Sequence, residues 1–260
     1  MAKTTKLLIN GEAGVGKTTL VKDLVAKDTL AIAIDGKDFP LNIPHATYKE
    51  NVTVDELIKG YTVDVDELVD GKIQTREKEV PGIVDVVDRY VEQLGQYPKN
   101  IVLDSVSKLA NNIIEKGNTD FTNFDIHNHI KKDLGLVNAF ISEYLEPRCE
   151  NLILINHVVV KDGEYQQTGS GNFKDKGGFY AEVDEALTVV ASSDKKRKVI
   201  TNGKKFQART LLDLPLEIPI PYIHPDPAKC DEVTDEHFNL QKHLDLLNEN
   251  KHESEEWSLI

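Results

Sequence analysis

Two kinds of apolar pattern alternate along this chain. Lys6 to Asn10 (KLLIN), Leu30 to Ile34 (LAIAI), IVLDS at 101–105 and Leu152 to Ile155 (LILI) are short runs dominated by consecutive apolar residues. Runs of this length predict strands covered on both faces. Elsewhere apolar residues recur every three or four positions. Leu20, Val21, Leu24 and Val25 predict a first helix, and Ile83, Val84, Val87, Tyr90, Val91 and Leu94 a later one that stops at Pro98. Helices are also expected over 106–116 and 126–145, and strands over Leu187 to Val190 and Lys198 to Ile200. The second strand closes at Asp35. A strand, a helix and a second strand with no hairpin between them imply a right-handed crossover. The expected class is α/β, a mostly parallel central sheet flanked by helices.

Other stretches are less regular. Residues 40–80 are punctuated by Pro40, Pro44 and Pro81, and the tetrapeptide VDEL occurs at 54–57 and again at 65–68. One echo is not a repeat architecture. Gly117 to Asn123 reads as a polar loop. Pro215, Pro219, Pro221, Pro225 and Pro227 read as an extended connector. Thr234 then caps a short helix bearing Phe238, Leu240, Leu244 and Leu247, with acids in its first turn, and HESEEWSLI is expected to be disordered. The domain division is 1–214 as a core, and 215–260 as connector, short helix and acidic tail.

The loop after the first strand carries chemistry. Residues 11–18, GEAGVGKT, fit G-x-x-x-x-G-K-[ST] without a gap, with a predicted strand before and an amphipathic helix after. Gly11, Gly14 and Gly16 let the backbone turn so that N–H groups from Gly11, Glu12, Ala13, Gly14, Val15, Gly16 and Lys17 converge on one anion. The helix behind adds its positive end. Lys17 is placed between the β- and γ-phosphates of ATP, the Thr18 hydroxyl is a hard ligand for Mg²⁺, and Thr19 reaches the α-phosphate. The site also needs a carboxylate at the carboxyl end of a strand next to the loop's strand, and Asp104, closing IVLDS, supplies it as a second metal ligand.

Charge and composition narrow the partners. The net charge is −13 over 260 residues, 40% of them hydrophobic. The charge is uneven: residues 225–260 are strongly acidic, whereas 195–209 hold Lys195, Lys196, Arg197, Lys198, Lys204, Lys205 and Arg209 and no acid. An acidic chain does not coat nucleic acid with its whole surface, but one basic strip can meet phosphates. It can equally be a solvated hairpin. The two cysteines, Cys149 and Cys230, are far apart and fit a reducing compartment. No apolar stretch approaches membrane-span length, and MAKTTKLLIN runs straight into a strand, so no signal peptide and no membrane partner are expected. The cytoplasm is the default location.

Taken together, GEAGVGKTT, AIAIDGKD, NIVLDSVSKL and LILINH followed by a polar glycine-rich stretch resemble the RecA-like P-loop ATPases. More narrowly they resemble the phage ATPases of single-strand annealing and recombination, over residues 5–215. The resemblance implies DNA-stimulated ATP hydrolysis, single-stranded DNA as partner, homo-oligomeric rings or filaments, and host cytoplasm for a phage protein. It puts a γ-phosphate sensor at Asn156 and His157, DNA-facing loops at 117–123 and 161–178, and cations reaching a neighbouring subunit's nucleotide at Lys205 and Arg209. One departure concerns hydrolysis. The glutamate that usually stands two residues after the second strand's aspartate is Lys37 here. Asp35 and Asp38 are the carboxylates in position to replace it, with Glu12 nearby.

Other readings come from different classes. A P-loop kinase of a nucleotide or metabolite needs a basic lid, for which 195–209 is the candidate. A nucleotide-gated adaptor would work through the acidic tail, whose Trp257, Leu259 and Ile260 resemble the tips by which single-strand-binding proteins recruit partners; a solubilising tail has the same composition. His127-Asn128-His129 spells HNH, but residues two apart on a helix face different ways, so these are surface residues.

Overall fold

The apolar runs come together as the middle of one sheet. The computed structural model describes residues 3–69, 72–120, 124–167, 178–192, 196–222 and 230–256. Its strands are β1 (Thr5–Gly11), β2 (Thr29–Ala33), β3 (His45–Thr47), β4 (Tyr61–Val69), β5 (Lys72–Val80), β6 (Asn100–Asp104), β7 (Asn151–Lys161), β8 (Glu164–Gln167), β9 (Glu185–Ala191), β10 (Arg197–Ile200) and β11 (Glu217–Ile220). Its α-helices are α1 (Lys17–Leu20), α2 (Val54–Lys59), α3 (Ile83–Leu94), α4 (Val106–Asp120), α5 (Phe124–Phe140) and α6 (Leu240–Glu256). Nine strands form one sheet in the order β11-β10-β9-β1-β7-β6-β2-β3, with β8 folded back on the end of β7. From β9 to β3 every neighbour is parallel; β10 and β11 close one edge antiparallel. This is the expected α/β class, a mostly parallel mixed sheet flanked by helices.

Alternation along the strands sorts the core into two layers. Leu8, Leu103, Leu152 and Leu154 point to one face and pack with Leu57, Val87, Leu109, Val137 and Phe140 from α2 to α5. Leu7, Ile9, Ile153 and Ile155 point to the other and pack with Leu20 and with Leu240, Leu244 and Leu247 of α6. Both faces are covered, which is why these strands read as unbroken apolar runs. Among the described residues no helix is long and apolar enough to cross a membrane.

The first helix is much shorter than its periodicity implies. After α1 the chain enters a three-ten turn at Val21–Asp23, and Leu24 is extended. Leu20, Val21 and Leu24 are buried as expected, but Val25 is 43% exposed. The Asp23 carboxylate accepts a hydrogen bond from the Leu240 N–H at 3.1 Å, so α6 meets the chain where α1 stops.

The expected loop at 117–123 is helical through Asp120, with 121–123 outside the described residues. Gly117 is needed there for packing: a Cβ would stand 2.5 Å from Ile130 Cγ1 on α5. Residues 40–80 resolve into α2 and a two-stranded arm, β4–β5, whose strands pair only with each other.

After 215, β11 and α6 pack against the core. β11 extends the sheet, and Pro219 is tolerated because β11 is the edge strand and needs no N–H on its outer side. Asn239, not Thr234, caps α6: its Oδ1 accepts from the Lys242 N–H at 2.9 Å, while Thr234 bonds His237. No acid lies in the first turn of α6. Buried His243 meets Glu185 at 2.7 Å and Asn248 bonds Asn151 at 3.0 Å, tying the helix to β9 and β7. α6 runs to Glu256, so part of the segment expected to be disordered is helical; Trp257, Leu259 and Ile260 lie outside the described residues.

Candidate functional site

The glycine loop leaves the carboxyl end of β1. Gly14 and Gly16 take left-handed conformations, φ +78° and +93°, which L side chains rarely adopt. Glu12, Ala13 and Gly14 are exposed, Val15 is anchored in the core, and Gly16 opens α1. Four helical residues have little macrodipole, so the positive helix end expected here contributes little. The loop's own N–H groups and Lys17 are what remain for an anion.

Lys17 is buried. Its ammonium donates to the carbonyls of Gly11 (2.9 Å) and Glu12 (2.8 Å) and stands 3.1 Å from His157 Nδ1. Burial lowers its pKa to about 8, against the opposing pull of Asp104 and Glu12. Burial and the adjacent Lys17 charge push His157 down to about 4, so at neutral pH the ring is uncharged and Nδ1 accepts from the ammonium. All three ammonium protons are thus held by groups that an entering phosphate can replace.

This arrangement predicts an acid-labile native state. The unfolded chain protonates its histidine near pH 6.5, the native chain only near pH 4, so stability falls as pH drops across that interval. His157→Gln removes the proton. Denaturation midpoints at about pH 7 and about pH 4.5 should show the variant losing less stability than wild type. Equal losses would show that His157 does not carry the effect.

Asp104 reaches the loop from farther away than the sequence suggested. β6 is not beside β1; β7 lies between them. The Thr18 hydroxyl nevertheless donates to Asp104 Oδ2 at 2.7 Å. Burial raises the Asp104 pKa, and the neighbouring charge of Asp35 adds to the rise. Asp35 follows β2; the preceding Ile34 donates its N–H to the Asp104 carbonyl, and the Asp35 Oδ1 accepts the Lys37 N–H at 3.2 Å. Asp38 is exposed and does not join the cluster. Among the described residues no three His, Cys, Asp or Glu side chains form a metal cage. Two adjacent hard oxygens, from Thr18 and Asp104, suit Mg²⁺ held jointly by protein and phosphate oxygens.

The two sensor candidates separate. His157 shares the face of Ile153 and Ile155 and meets Lys17. Asn156, one residue earlier, points through the opposite face, where its Nδ2 donates to Asn10 Oδ1 at 2.8 Å. Asn10 in turn donates to the Gln207 carbonyl at 3.1 Å. Among the described residues, Asn156 Oδ1, both amide atoms of buried Gln167 and Gln207 Oε1 have no hydrogen-bond partner.

The cation candidates separate too. Arg209 is engaged inside its own chain: it donates to the Val183 carbonyl and lies 4.6 Å from the Tyr180 ring centroid. Lys205 is exposed, its ammonium 5.7 Å from the Phe206 ring centroid. Of the segment 161–178, Lys161 to Gln167 form a hairpin with β7. Asp162 and Gly163, both at positive φ, make its two-residue turn. Residues 168–177 lie outside the described residues.

Two residues near the loop escaped the sequence reading. Ser107 accepts the His157 N–H at 2.9 Å and donates to Ser105 Oγ at 3.2 Å, fixing the end of β7 against α4. Arg197 on β10 places its guanidinium beside Gly16; a Cβ there would stand 2.2 Å from Nη1. Its only sequence signal was membership of the basic strip. No family model matches this sequence, and no curated protein does either.

Proposed function

We propose that this chain is a RecA-like P-loop ATPase that binds ATP with Mg²⁺ and acts as an oligomer on single-stranded DNA in recombination or annealing. The observation that carries the nucleotide reading is the Thr18–Asp104 hydrogen bond made across an intervening strand, with Lys17 held beside it by His157. A glycine loop alone can be chance. A glycine loop whose hydroxyl meets a strand-end carboxylate, and whose lysine meets a neutral histidine on the strand between, is a site for a metal-bound triphosphate.

The residues divide the work. Loop amides and Lys17 hold the β- and γ-phosphates. Mg²⁺, when bound, neutralises charge developing on phosphate oxygens, and Thr18 and Asp104 are the side chains to hold it. Once Lys17 turns to phosphate, His157 Nδ1 is freed as an acceptor for the attacking water. Asp35 is the nearby carboxylate that supports that role in place of the missing glutamate; exposed Asp38 and Glu12 are set less well.

The DNA reading is supported by continuity of the chain. The strand that carries His157 runs on without a break into the β7–β8 hairpin, where Val159 and Val160 are exposed. Movement of His157 on nucleotide binding is transmitted along one strand to that hairpin. Lys205 remains the exposed cation for a neighbouring subunit, with Arg209 occupied internally. A single-strand-binding protein as a further partner rests on the tail composition alone.

ATP turnover measured with and without single-stranded DNA tests the reading, with Lys17→Ala as control. DNA should raise the rate of the wild type only. A flat rate, with no DNA bound in the presence of ATP analogues, would remove the recombination role. Phosphoryl transfer to a nucleoside monophosphate would instead favour a kinase.

A further inference from the structure

We propose that Arg197 is a phosphate ligand supplied by the same chain, gripping the end of the polyphosphate nearer the sugar. The proposal rests on the ATP reading and adds to it a residue, a location and a mode of action.

The placement follows from the sheet. β10 pairs antiparallel with β9, with Arg197 opposite Ala191, and β9 lies beside β1 on the side away from β7 and β6. The glycine loop is therefore flanked by His157 and Asp104 on one side and by Arg197 on the other. Two residues along β10, Val199 packs into the layer of Val15 and Leu20, so Arg197 projects on the same face as the loop and α1.

The guanidinium is held close. A Cβ built on Gly16 would come within 2.2 Å of Nη1, 3.3 Å of Cζ and 3.6 Å of Cδ, so the arginine occupies the space that a side chain at 16 would need. Gly16 thus serves twice, by its φ of +93° and by leaving room for Arg197. Arg197 is half-buried, and among the described residues its guanidinium has no hydrogen-bond or ion-pair partner. Four other cations of the strip are differently placed: Lys198 pairs with Glu217 at 2.6 Å, Arg209 bonds Val183, and Lys204 and Lys205 are exposed. A half-buried guanidinium without a carboxylate, resting on an anion-binding loop, lacks only the anion.

Position decides which phosphate. Thr18, Asp104 and His157 mark the metal and γ-phosphate side. Arg197 stands across the loop from them, where the α- and β-phosphates lie. Those groups are common to ATP and ADP, so Arg197 contributes uniform binding rather than discrimination between substrate and product.

Equilibrium binding of ATP, ADP and inorganic triphosphate to wild type, Arg197→Ala and Arg197→Lys tests this. Loss of a charge-assisted contact should weaken all three probes together in the alanine variant, by about ten- to a hundredfold, with partial recovery in the lysine variant. Unchanged ADP affinity in both variants would overturn the proposal. Weakening of ATP alone would overturn it by moving Arg197 to the γ-phosphate. Weakening of both nucleotides but not triphosphate would overturn it by moving the contact to base or sugar. A wild type that binds no nucleotide would take down the ATPase reading itself. The lysine variant keeps charge and most of the bulk, so it serves where the alanine variant fails to fold.

Discussion

Lys17→Ala should abolish measurable ATP turnover and weaken MgATP binding by at least about a hundredfold. Among the described residues Lys17 is the one buried ammonium in contact with the loop, and its three donors are already collected at one point by Gly11, Glu12 and His157. Replacing it leaves two carbonyls and an imidazole facing the phosphates, all acceptors, so attraction becomes repulsion. The same residue sets the alkaline limit. Its pKa of about 8 in the free protein means that ATP affinity of the wild type declines as pH rises through that value, because the deprotonated amine no longer attracts phosphate. The alanine variant should lack this decline. Titration calorimetry across neutral to alkaline pH reads both effects. Comparable ATP affinity in the two proteins would mean that the loop does not hold a triphosphate.

Asp104→Asn separates metal from nucleotide. The amide oxygen can still accept the Thr18 hydroxyl, so the local fold should persist. Removal of a carboxylate whose pKa burial has already raised relieves a buried charge, so thermal stability without ligand should be unchanged or higher. What is lost is the negative oxygen beside Thr18. Turnover should fall about a hundred- to a thousandfold, and the extra thermal protection that Mg²⁺ adds to ATP should vanish while that from ATP alone survives. In the wild type, protonation of Asp104 should set the acid limit: as pH falls the carboxyl neutralises and metal binding should weaken. With Lys17 above and Asp104 below, activity should be bell-shaped in pH. Full Mg²⁺ dependence in the asparagine variant would place the metal elsewhere.

The legible parts of this protein are the local ones. GEAGVGKT carries its own conformational instructions, in glycines at the positive-φ positions and a lysine and threonine one turn on. The apolar runs identified β1, β2, β6 and β7 because each is buried from both sides. Asp162-Gly163 was an equally local signal for the β7–β8 hairpin, but polar flanks made it resemble an open loop. Less legible were distances across the sheet. The sequence placed Asp104 next to the loop's strand, whereas β7 intervenes, and order within a sheet depends on crossovers that no short window records. Asn156 and His157 looked equivalent as strand-end polar residues. The pleat alone sends one to Lys17 and the other to Asn10.

The repeated VDEL shows where local information ends. At 54–57 it is a helix, started by the Thr53–Glu56 capping box and stopped at Gly60. At 65–68 it is a strand in β4, paired with Ile73 to Arg76. Four identical residues take two forms because capping and cross-strand partners outweigh their own propensity. The amino-acid sequence by itself determined the glycine loop, the apolar strands, the α/β class and the identity of the charged groups. Only the tertiary structure decided which of them meet: Asp104 with Thr18, His157 with Lys17, Arg197 with Gly16, Arg209 with Val183. Those pairings join residues far apart in the chain, and strand order, pleat and helix docking set their distances.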